Sequence, residues 1–166
     1  METAEQLIAE YRKQLNRGMI QKAYRELMLY VAALRTRFGK KYPELAPGST
    51  YQGYMDMTYF PLFPPSLKSR KLKIAVVLIH QPLSFEVWLS GYNKQVQSKY
   101  WNLFKEAAWN KYRLPSNIKA TDSILEDTLV GEPDFSRIAE MTEQIENRTL
   151  TFIRDIDDFL SSRLNG

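Results

Sequence analysis

The sequence of 166 residues contains no cysteine, one histidine and seven glycines. The absence of cysteine removes disulfides, thiolate metal ligands and cysteine nucleophiles together, and it predicts an intracellular protein. With His80 as the sole histidine there is neither a His-rich metal spacing nor a Ser-His-Asp order, and the scarcity of glycine leaves no phosphate-cradling loop or dinucleotide fingerprint. The longest apolar run, Ile74 to Ile79, falls far short of the ~20 residues needed to span a bilayer. The Met-Glu-Thr-Ala-Glu-Gln start lacks a basic leader region. These absences lead us to expect a cytoplasmic protein with no membrane partner, no metal and no cofactor.

What is present suits one domain over residues 1–166, because a chain of this length buries roughly 70% of its unfolded surface without staples. The net charge of +4 hides a division: residues 1–120 sum to +11 and residues 121–166 to −7. A basic body with an acidic end suggests a nucleic-acid surface partly masked by its own C-terminus. The plainer reading is that an acidic helix packs on the basic body.

Leu7, Ile8, Tyr11 and Leu15 share one face of a short amphipathic helix that Gly18 ends. A longer helix carries Ile20, Tyr24, Leu27, Val31, Leu34 and Phe38 at alternating spacings of four and three, with Gly39 placed to stop it. Three strand signals follow. Tyr51 to Phe60 alternates and is halted by Pro61, Leu72 to Ile79 is apolar enough for a central strand, and Ser84 to Leu89 alternates after a Gln81-Pro82 turn. A helix over 93–112, an edge strand within 120–130 and a final helix over 135–163 complete the chain. The last helix repeats Ile138, Met141, Ile145, Phe152, Ile156, Phe159 and Leu160 nearly as a heptad, which suggests either a helix lying across the domain or a homodimer interface. The order α-α-β-β-β-α-β-α predicts an α+β fold with helices against a small mixed, mostly antiparallel sheet.

Two groups of residues invite function. Asp56 and Glu86, with Tyr54, Trp88, His80, Tyr100 and Trp101, form a candidate ligand-binding set, in which aromatics line a cavity and the two carboxylates act as its polar groups. Tyr51, Tyr59 and Tyr92 belong to the same aromatic lining. Buried phenols and indoles need polar partners, so the carboxylates serve equally well as structural acceptors. His80 serves as a general base only when a carboxylate orients it, and otherwise satisfies a turn. The run Lys68, Arg70, Lys71 and Lys73, beside aromatics, has the make-up of a single-stranded nucleic-acid surface, or else of a solvated hairpin that discourages edge pairing. A noncatalytic small-ligand-binding domain is the first expectation and a nucleic-acid-associated protein the second.

The core order also resembles the restriction-endonuclease-like fold, whose enzymes hold a divalent cation with carboxylates from neighbouring strands and a lysine two residues beyond the second. Here Glu86-Val87-Trp88 places tryptophan at the lysine position, and Ser69-Arg70-Lys71 supplies no aspartate. The resemblance therefore implies a degenerate nuclease-like scaffold. Separately, the run Gly53 to Phe60, Phe85-Glu86-Val87-Trp88-Leu89, Tyr100-Trp101, Asp122 to Glu126 and Pro133-Asp134-Phe135 resembles a family of small bacterial proteins of unknown function. That resemblance covers most of the chain, implies a bacterial α+β protein, and carries no catalytic residue with it.

Overall fold

In a computed structural model, which describes residues 1–164, the core is built on one face of a four-stranded sheet. The strands are β1 (Met57–Leu62), β2 (Leu72–Ile79), β3 (Ser84–Gly91) and β4 (Leu125–Val130). They lie in the order β1-β2-β3-β4, and every pairing is antiparallel. The sheet is thus a meander, where the sequence allowed a mixed one, because each strand pairs with its neighbour in the chain even across the long β3–β4 connection. The helices are α1 (Ala4–Arg17), α2 (Met19–Lys41), the single turn α3 (Pro65–Lys68), α4 (Lys94–Glu106) and α5 (Ile138–Leu164). Among the described residues no helix is long and apolar enough to cross a membrane.

The alternation of side chains across a strand divides the sheet into two unlike faces. Phe60 and Leu62 of β1, Leu72, Ile74, Val76 and Leu78 of β2, and Phe85, Val87 and Leu89 of β3 point into one core shared with α2, α4 and α5. The other face carries Met57 and Tyr59, then Lys73, Ala75 and Val77, then Glu86, Trp88 and Ser90, and no long helix of the core covers it. A register shift between Phe85 and Glu86 lets the consecutive Leu129 and Val130 of β4 both be buried.

The core face explains the helix patterns. Val31, Leu34 and Phe38 of α2 and Met141, Ile145, Phe152, Ile156 and Leu160 of α5 are all buried there, so the heptad-like stripe of α5 is packed within the chain. Of that stripe Ile138 remains 49% exposed. The two helices are joined by charge. Arg37, Lys41 and the Tyr42 hydroxyl all reach the buried Glu146. Burial alone would push this carboxyl up, but the hydrogen bonds from Lys41, Tyr42 and Arg37 outweigh it and hold the group down to about 2. With Lys111–Asp155 and Arg113–Glu126, this is how the acidic end of the chain meets the basic body.

Several element ends differ from the sequence reading, each for a local reason. β1 begins six residues later than expected and runs through Pro61. The phase of the ladder permits this, since the Pro61 carbonyl faces outward to the Gly48 N–H and its nitrogen points away from β2. α2 passes Gly39 and stops at Lys41, because Lys41 and Tyr42 are drawn to Glu146 and Pro43 follows. α4 ends at Glu106, not near residue 112: Ala108 takes a left-handed φ of 52°, and Trp109 turns back to stack on Phe104 and Phe159.

Candidate functional site

The uncovered face of the sheet holds a cavity of about 440 Å³. Its floor is Tyr59, Lys73, Ala75, Trp88 and Ser90 from β1, β2 and β3. One wall is Tyr51, which pairs by backbone with Tyr59 and lies ring to ring with it at 5.3 Å. The opposite wall is the segment Ile118 to Asp122, and the end is closed by Gly91, Tyr92, Asn93 and the first turn of α4 with Lys94, Gln97 and Ser98.

Local chemistry fixes each wall. Asn117 caps a short 3₁₀ turn, Ile118–Ala120, by accepting the Lys119 N–H at 3.1 Å, and the Ser90 hydroxyl donates to the Asp122 carbonyl at 2.8 Å. Lys119 is therefore carried over the sheet. Asn93 caps α4 by accepting the Val96 N–H at 2.9 Å, which leaves the Lys94 and Gln95 amides free of the cap bond at the positive end of the helix. Gly91 allows β3 and α4 to approach closely, because a Cβ there would lie 2.7 Å from the Gln97 backbone nitrogen.

Gln97 is 8% exposed, and its Oε1 accepts the Gly91 N–H at 2.8 Å. That bond fixes which end of the amide is which, so Nε2 is a donor enclosed by protein, and among the described residues it has no acceptor. Buried donors without partners are uncommon and costly, at roughly 1–3 kcal/mol each. Lys73, Lys94 and Lys119 also line the cavity, and among the described residues none of them forms an ion pair. Asp122 is the one carboxylate in the lining.

Residues 4–160 match the family described as "Domain of unknown function (DUF7000)". The chain belongs to the DUF7000 family. No curated protein matches it, and no solved structure matches it.

Of the candidate ligand set in this DUF7000 chain, Trp88 lines the cavity, as do Tyr51, Tyr59 and Tyr92. The carboxylates lie elsewhere and apart. Asp56 sits in the turn before β1, exposed, and its Oδ1 accepts the Tyr54 and Met57 N–H groups at 2.8 and 2.7 Å; these two bonds lower its pKa. Glu86 is on β3, with β2 between it and β1, so the adjacent-strand pair a nuclease-like metal site needs is not assembled. Instead Glu86 accepts the Trp88 indole N–H at 2.9 Å and the Arg113 guanidinium at 2.8 Å. Tyr54 is exposed, Tyr100 is in the core, and Trp101 donates to the Pro115 carbonyl at 2.8 Å, holding the loop after α4.

His80 lies at the far end of β2. The Thr58 hydroxyl donates to the Gln52 carbonyl at 2.6 Å, so its contact with His80 at 2.8 Å requires the imidazole to donate from Nε2. The ring also stacks on Tyr24 of α2 at 5.8 Å, and burial lowers its pKa against a smaller opposing pull from Asp56. In this geometry the ring is a structural donor. In the basic run, Lys73 lines the cavity, while the Lys71 carbonyl accepts the Tyr92 N–H at 2.9 Å and so brings the run to the cavity rim. Lys68 closes α3, and the Arg70 Nε is buried without an acceptor among the described residues.

The residues that sequence reasoning missed are Gln97, Lys94, Lys119, Ser90 and Gly91. A weak signal existed in the Gly91–Asn93 break before a helix, which marks a helix N-terminus beside a strand end.

Proposed function

We propose that this chain is a noncatalytic, cytoplasmic ligand-binding domain whose small-molecule ligand occupies the cavity on the uncovered face of the sheet. The observation that carries this reading is the cavity of about 440 Å³ itself, in which Tyr51, Tyr59, Tyr92 and Trp88 meet Lys73, Lys94 and Lys119, none of these lysines being ion-paired among the described residues. The cavity volume lies in the range of small-molecule sites, and its mixture of aromatic and convergent polar groups is typical of them.

Native mass spectrometry of the full chain after incubation with a bacterial metabolite extract tests the reading. The parent chain should retain a small-molecule adduct, and Ala75→Phe, which fills the floor of the cavity from the side away from the core, should not. Equal retention by both chains, or retention by neither, would overturn it.

A second reading, association with nucleic acid, is favoured by the Tyr92–Lys71 bond, which places the basic run against an aromatic-lined trough. It predicts retention on single-stranded DNA that falls steeply with salt and is weakened by Lys68→Glu and Lys71→Glu. Retention unaffected by those substitutions would remove it.

A further inference from the structure

We infer that α1 joins this chain to a second copy of itself, as an antiparallel helix pair about a twofold axis near Tyr11. The sequence fixes this helix at both ends. Thr3 and Gln6 form a capping box, in which the Thr3 N–H donates to Gln6 Oε1 at 2.9 Å and the Gln6 N–H to Thr3 Oγ1 at 3.2 Å, and Gly18 takes a left-handed φ of 74° at the far end. Between the caps Leu7, Tyr11 and Leu15 recur at every fourth residue, with Ile8 beside them.

The chain itself does not cover this stripe. Leu7, Ile8 and Tyr11 are each more than half exposed, and so is Met19 just past Gly18. The stripe of α5 is packed within the chain, whereas no residue of α1 is buried. Isolated helices of this length are marginal in water, and a contiguous apolar patch left open marks a surface that associates.

The charge pattern of α1 identifies the partner. Residues 2–10 carry Glu2, Glu5 and Glu10 with no basic side chain, and residues 11–17 carry Arg12, Lys13 and Arg17 with no acidic one. The two halves cancel, so the helix offers no net field to draw an anionic membrane or a nucleic acid. It is complementary to itself, in one direction only. Laid antiparallel on its copy, each acidic half meets a basic half; laid parallel, like charges face one another.

With Tyr11 on the axis, Leu7 falls beside the partner's Leu15, Glu5 beside the partner's Arg17, and Glu10 beside the partner's Arg12. Glu5, Arg12 and Arg17 have no ion-pair partner among the described residues, while Glu10 is held by Gln14 and Lys13 of its own helix. Two helices each roughly 21 Å long make a small isologous interface, so the dimer forms reversibly and with concentration.

Sedimentation velocity of the full chain tests this. The average mass should rise from 19.4 kDa toward twice that value, with half-association at about 10–100 µM. Glu5→Arg with Glu10→Arg makes α1 wholly basic, and Arg12→Glu with Arg17→Glu leaves Lys13 as its one basic side chain; each double variant should associate at least tenfold more weakly, and an equimolar mixture of the two should regain the parent's association. Because the chain has no cysteine, Leu7→Cys and Leu15→Cys report direction. Their mixture should form intermolecular disulfides faster than either chain alone.

A parent chain that stays monomeric over this range would overturn the dimer. Association unchanged in both charge variants, or a mixture that fails to regain it, would place the contact elsewhere and overturn the role of α1, and faster crosslinking by Leu7→Cys alone would overturn the antiparallel arrangement. A monomer that instead co-sediments with phosphatidylglycerol vesicles, and is released by Ile8→Ser, would assign the stripe to a membrane surface and overturn the second copy.

Discussion

Gly91 donates its backbone N–H to Gln97 Oε1 at 2.8 Å, and the same glycine lies so close to α4 that a Cβ on it would meet the Gln97 nitrogen at 2.7 Å. Strand end and helix start are therefore in backbone contact. Gly91→Ala must push the first turn of α4 away from β3, at a cost of about 1–3 kcal/mol. Thermal melting should fall by several degrees, and a midpoint within one degree of the parent would show that the approach is looser than described.

The Glu146 cluster makes stability depend on acid. The folded carboxyl is held down to about 2, below its ordinary value near 4.5, so its contribution is fully present above about pH 4.5 and is lost as pH falls toward 2. The contribution is roughly 2–3 kcal/mol. Glu146→Gln should lower stability in urea at pH 7 by about 2 kcal/mol, and the gap between the two proteins should close near pH 2. A gap that persisted unchanged at low pH would contradict the pairing.

The Tyr112 hydroxyl donates to Asp155 at 2.6 Å, and burial followed by the neighbouring carboxylate raises its pKa well above the ordinary phenol value. It should remain protonated when exposed tyrosines ionise. In an alkaline ultraviolet titration up to pH 11, Tyr112→Phe should remove none of the phenolate signal, and a loss of one residue's share would contradict the pairing.

Thr58 is fully buried between the Gln52 carbonyl and the His80 imidazole. Thr58→Val keeps the shape but leaves both partners unsatisfied, which costs about 1–3 kcal/mol. Because burial lowers the folded pKa of His80, the unfolded chain takes up its proton first. Stability should fall as pH drops below about 6.5, with the loss complete below the folded value. His80→Gln should flatten that part of the profile in urea denaturation.

No residue of α1 is buried, and Leu7 at 55%, Ile8 at 66% and Tyr11 at 62% are exposed along its apolar face. Its main packing partner is α2. Hydrogen exchange of the dilute monomer should therefore strip the α1 amides well before those of β2, which lies between two hydrogen-bonded neighbours. Similar protection in both elements would mean that α1 is covered in solution.

The framework was legible where a single physical signal dominated. The apolar run Leu72–Ile79, interrupted only by Lys73, called for a central strand, and it is the inner strand β2. The stripes of α2 and α5 demanded a common partner, and both lie on the same sheet face. Ends of elements were less legible, since Pro61 is tolerated only because of a ladder phase that its own sequence does not reveal. The cavity was least legible. Lys73, Lys94, Gln97 and Lys119 each read as ordinary solvated side chains, and they meet only because β3 delivers α4 and the 3₁₀ turn to one face. The aromatics misled in the opposite direction: Tyr100 has the same composition signal as Tyr59, but one is core and the other cavity floor.

The outer rim of β1 is occupied by the chain itself, through Gly48 on Pro61, Tyr51 on Tyr59 and Phe63 on Leu45, and the outer rim of β4 by Arg113 on Glu126 with Arg148 and Gln144 on the Thr128 and Leu129 carbonyls. A foreign strand thus finds neither margin open for addition. Fibril growth from the native state would first have to peel away one of these straps, so resistance to templated aggregation should track the local opening of residues 45–51 and 113 more closely than the global unfolding of the sheet.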